Sequence, residues 1–71
     1  MIAAEQGRRM AMEHMRAHLA RADSELEGAL GFLDPKSEDE AEIDLVRAVA
    51  NARTSVGVAL ETIQVRLGEP R

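Results

Sequence analysis

Gly31-Phe32-Leu33-Asp34-Pro35-Lys36-Ser37-Glu38-Asp39-Glu40 is the one strongly helix-breaking stretch between two arms of similar length and helix-forming composition. Gly31 suits the left-handed residue that closes a helix, and Pro35 suits the first turn of the next one. Ser37 and Glu40 are spaced as a capping box, and Asp34 is a second candidate cap. The chain is therefore predicted to fold back here, with a helix over about residues 2–31, a turn over about 32–37 and a helix over about 38–67. Arms of this length extend roughly 45 Å at 1.5 Å per residue.

Working outward from the turn, the first arm places Met12, Met15, Leu19, Ala22, Leu26, Ala29 and Leu33 at alternating steps of three and four. That is the heptad spacing of a coiled-coil seam. Arg8 and Glu5 interrupt the stripe toward the start. The second arm carries a wider apolar face of Leu45, Val46, Val49, Ala52, Val56, Ala59, Leu60, Ile63 and Leu67. Such width suits contact with two neighbouring helices. Gly68 and Pro70 mark its end.

The two arms thus predict an all-α, antiparallel helical hairpin in a single domain. Its 71 residues include no cysteine, so neither disulfides nor thiolate metal sites staple it. A single seam also leaves the flanks of the wide face in water, and two hairpins packed as a four-helix bundle cover them. Met12, Met15, Leu19, Leu26, Leu45, Val49, Val56, Leu60 and Ile63 are the expected core of that homodimer.

Charge is segregated along the chain. Residues 1–22 hold four arginines against two glutamates, residues 23–44 hold nine acids against Lys36 alone, and residues 45–71 hold four arginines against two glutamates. A hairpin folded at the turn is acidic at its closed end, while Arg8, Arg9, Arg66 and Arg71 gather at its open end. Two parallel hairpins would stack like charges, so a head-to-tail dimer is expected.

Chemistry-bearing groups are sparse. His14 and His18, four apart beside Glu13, can share an ion in principle, but they sit off or at the border of the apolar stripe and lack the Glu-x-x-His motif of carboxylate-bridged bundles. No metal and no cofactor is expected. Ser24, Ser37, Thr54, Ser55 and Thr62 have no histidine on their own arm apart from Ser24, and the acids near the turn suit a helix start through the dipole, so no enzyme is expected. Arg8, Arg9, Arg16 and Arg21 cluster in one arm as phosphate contacts must. No aromatic in that arm can stack a base, however, and the whole chain is acidic.

Met10 and Ala17 on the first arm, with Val58 and Val65 on the second, point away from the seam and mark a possible partner face. No run reaches the roughly 20 apolar residues of a membrane span, and no export signal follows Arg8-Arg9, so a cytoplasmic location is expected. The sequence reads as a small non-enzymatic module for protein-protein interaction or oligomerisation, an adaptor or regulator. An RNA-binding regulator using the arginine-bearing arm is the alternative.

Overall fold

The computed structural model describes the backbone of residues 2–69 and the side chains of residues 4–69. The expectations for Pro70 and Arg71 lie outside the described residues. Two helices make up the fold, α1 over Ile2–Leu30 and α2 over Glu40–Arg66, paired as a helical hairpin. The molecule measures 56 × 18 × 15 Å, the long dimension of one helix plus its turn and the thickness of a two-helix layer.

The turn is built differently from its sequence reading. Gly31 does not take the left-handed conformation, because α1 ends by tightening. Gly31 N donates to Gly28 O, Phe32 N to Ala29 O and Leu33 N to Leu30 O, each at 3.1 Å, and these three-residue steps need no positive φ. A β-turn follows over Asp34-Pro35-Lys36-Ser37. Ser37 N donates to Asp34 O at 3.1 Å, Lys36 N donates to Asp34 Oδ1 at 2.9 Å, and Pro35 fills the second position, where its fixed φ belongs. Pro35 therefore makes the turn instead of opening the helix.

The cap of α2 is Asp39, not Asp34 or Ser37. Its backbone is extended (ψ 121°) and its carboxylate accepts from Ala41 N at 2.9 Å. Ser37 Oγ supports the cap from behind by accepting from Asp39 N at 3.1 Å. Glu42, three residues into the helix, reaches back to accept from Asp34 N at 2.7 Å, so the first turn of α2 is pinned to the β-turn. The Ser37/Glu40 box is replaced by this Asp39/Glu42 arrangement.

The left-handed glycine appears at the other end of α2. Gly68 has φ 74°, the only positive φ among the described residues. Gly68 N donates to Val65 O and Glu69 N donates to Gln64 O, both at 3.0 Å, the paired bonds of a glycine-terminated helix. This reversal turns Glu69 back toward α1.

Between the helices, the rows one heptad apart decide the packing. The central row of α1, Met12, Leu19 and Leu26, is half-buried, as is Leu33 in the turn that follows it. The flank that joins it is Arg16, Asp23 and Leu30, all half-buried, whereas Met15 and Ala29 of the anticipated flank are exposed. On α2, Val46, Val49, Ala52, Val56, Ala59 and Leu60 are half-buried and Leu45 is exposed. Among the described residues only Ile63 and Leu67 are buried, at 5% and 6% exposure.

Candidate functional site

Helical periodicity gives the hairpin two broad lateral faces and two outer edges. One face carries the α1 row Arg9, Arg16, Asp23, Leu30 beside the α2 row Val46, Arg53, Leu60, Leu67. Its charges are matched within the chain. Arg53 Nε donates to Asp23 Oδ1 at 3.1 Å and Nη2 to Oδ2 at 3.4 Å, with Glu27 Oε2 3.6 Å from Nη2. The hydrogen bond and charge of Asp23 raise the Arg53 guanidinium above its ordinary pKa, so it stays protonated. Arg16 Nη1 donates to both carboxylate oxygens of Glu69. Arg9 Nη2 donates to Leu67 O at 3.2 Å and its Nε lies 3.9 Å from Glu13. Arg16 and Arg53 are half-buried with their charges matched, while Arg9 stays exposed.

The opposite face carries Arg8, Met15, Ala22 and Ala29 from α1 beside Leu45, Ala52, Ala59 and Arg66 from α2. Its middle is apolar and small. Met15 is 51% and Leu45 53% exposed, while Ala22, Ala52 and Ala59 are half-buried between them. Both rows end in arginine at the open end, where Arg8 and Arg66 line one cleft with Glu5, Gln6, Arg9, Met12 and Leu67. Among the described residues neither Arg8 nor Arg66 has an ion-pair partner.

Of the residues expected in a dimer core, Met12, Leu19, Leu26, Val49, Val56, Leu60 and Ile63 lie in the seam within the chain, and Met15 and Leu45 lie on this open apolar face. Met10, Ala17, Val58 and Val65 are exposed, yet α1 and α2 carry them on opposite outer edges, so they do not form one continuous surface. Arg8, Arg9, Arg16 and Arg21 are also dispersed. Arg9 and Arg16 are held on the ion-paired face, Arg8 lies on the apolar face, and Arg21 points away from α2. The pairing role of Arg16 could not be read from the sequence, since its acceptor lies 53 residues away.

His14 and His18 are exposed, and no three possible metal ligands gather among the described residues. The hydroxyls of Thr54 and Thr62 donate back to Ala50 O and Val58 O within α2. No described helix is long and apolar enough to cross a membrane. Compared with protein-family models, curated proteins and solved structures, the chain shows no match, and its own residues carry the functional reading.

Proposed function

We propose that this chain is a non-enzymatic protein-protein interaction module, an adaptor or regulator, that works as a homodimeric four-helix bundle. Exposed area carries the reading. The hairpin exposes 5755 Å², whereas a compact monomer of its 7.8 kDa mass exposes about 4,400 Å². The excess surpasses the roughly 800 Å² that each partner contributes to a standard interface. With two buried side chains in the described residues, the lone hairpin lacks the core that small helical scaffolds need. A second copy supplies it.

Charge supports a head-to-tail arrangement. The acidic stretch from Asp23 to Asp44 occupies the closed end and arginines line the open end, so inverted copies bring opposite charges together. The RNA-binding alternative is weakened because two of its four arginines already donate to acceptors within the hairpin. Light scattering with thermal unfolding over a hundredfold dilution tests the dimer. A dimeric mass and a melting temperature that falls on dilution are expected. Monomer mass with a dilution-independent transition overturns it.

A further inference from the structure

We infer that a second copy of this chain seats on the Met15/Ala22–Leu45/Ala52 face, head-to-tail, with each helix crossing its own counterpart and the open-end cleft of Arg8 and Arg66 receiving the partner's closed-end carboxylates. The inference rests on the dimer reading above and adds which face, which register and which charges.

The face is selected by what the other one already does. The Asp23–Arg53 and Arg16–Glu69 pairs satisfy the opposite face, and covering it would strip water from charges that gain no new partner. The chosen face has no such cost in its middle, where each row holds one large apolar residue, Met15 or Leu45, and two alanines at heptad spacing. Its projected footprint, set by extents of 56 and 18 Å, is about 1,000 Å², enough for a standard interface.

Symmetry then sets the register. Stacking two hairpins head-to-tail requires a two-fold axis across the helices, which places α2 antiparallel on the partner's α2. Leu45, Ala52 and Ala59 are evenly spaced, so inversion about Ala52 lays each Leu45 on the partner's Ala59 and brings the two Ala52 positions together. Large side chains meet small ones, as close helix packing demands. The same inversion carries Arg66 toward the start of the partner's α2, where Glu38, Asp39 and Glu40 follow the turn. Arg8 and Arg66, without ion-pair partners among the described residues, thereby gain them.

Cysteine probes in the full chain test the arrangement, because a disulfide needs Cα atoms within about 7 Å. Ala52→Cys should oxidise to a covalent dimer that keeps the helical content and melting behaviour of the parent, whereas Gly57→Cys, on the ion-paired face, should not cross-link. Spin labels at Lys36→Cys should sit more than about 40 Å apart, near the length of a 29-residue helix. Reversing Arg8 and Arg66 to Glu, at exposed sites, should weaken dimerisation at least tenfold at low salt and much less at high salt. A dimer that cross-links through Gly57→Cys and not Ala52→Cys overturns the face, and labels within about 20 Å overturn the head-to-tail orientation. Either result leaves the dimer itself standing, while a monomer at every concentration removes both.

Discussion

Arg16 of α1 reaches the carboxylate of Glu69, beyond the last turn of α2, and Nη1 donates to both of its oxygens. The contact exists because Gly68 reverses the chain after Leu67 and aims Glu69 back across the hairpin. A helix terminus and a mid-helix side chain are thereby joined across 53 residues. Both side chains are about one-third exposed, at 36% and 37%, so solvent screens the pair. Its coupling is expected at about 0.2–1 kcal/mol and should shrink in salt. A double-mutant cycle of Arg16→Met and Glu69→Gln measures it, and zero coupling at low ionic strength would contradict the assignment.

The glycines make opposite predictions. Gly68→Ala forces a side chain into a left-handed backbone and should destabilise by roughly 1–2 kcal/mol. Gly57→Ala sits mid-helix with nothing within 4 Å of the added Cβ, and should stabilise by about 0.5–1 kcal/mol. Denaturant midpoints at one fixed protein concentration read both. Equal effects of the two substitutions would mean that Gly68 does not adopt the reversal.

At the turn, Asp39→Ala should cost about 1 kcal/mol by leaving Ala41 N without its carboxylate. Ser37→Ala should cost less, since the Ser37 hydroxyl only accepts from the exposed Asp39 N. Helix content by circular dichroism through the melt ranks the two variants. A larger loss for Ser37→Ala would restore the capping box in place of the Asp39 cap.

Ile63 is 5% exposed and Phe32 92% exposed, so the largest hydrophobic side chain near the turn contributes little to the fold. Ile63→Ala is expected to cost about 2–5 kcal/mol. Phe32→Ala should change stability by less than about 0.5 kcal/mol. Urea titration at fixed concentration compares them, and a large loss for Phe32→Ala would indicate that the aromatic ring is covered in the assembled protein.

The hairpin itself was determined by the sequence, because breaking residues cluster in Gly31–Glu40 and heptad-spaced apolar residues flank them on both sides. Helix formation, reversal and the central rows Met12-Leu19-Leu26 and Val49-Val56-Ile63 follow from local propensity and periodicity, which act within a few residues. The cap was less legible. Asp34, Ser37 and Asp39 are all competent, and selection among them depended on the β-turn that places Asp39 in extended backbone.

Only the tertiary structure decided which flank each helix turns toward the other. Apolarity alone favours Met15 and Ala29 over Arg16 and Asp23, yet Arg16 and Asp23 are half-buried while Met15 and Ala29 stay exposed. The physical reason is the partner across the hairpin. Arg53 answers Asp23 from 30 residues away and Glu69 answers Arg16 from 53, and a side chain's local spacing carries no information about an acceptor that distant in the chain.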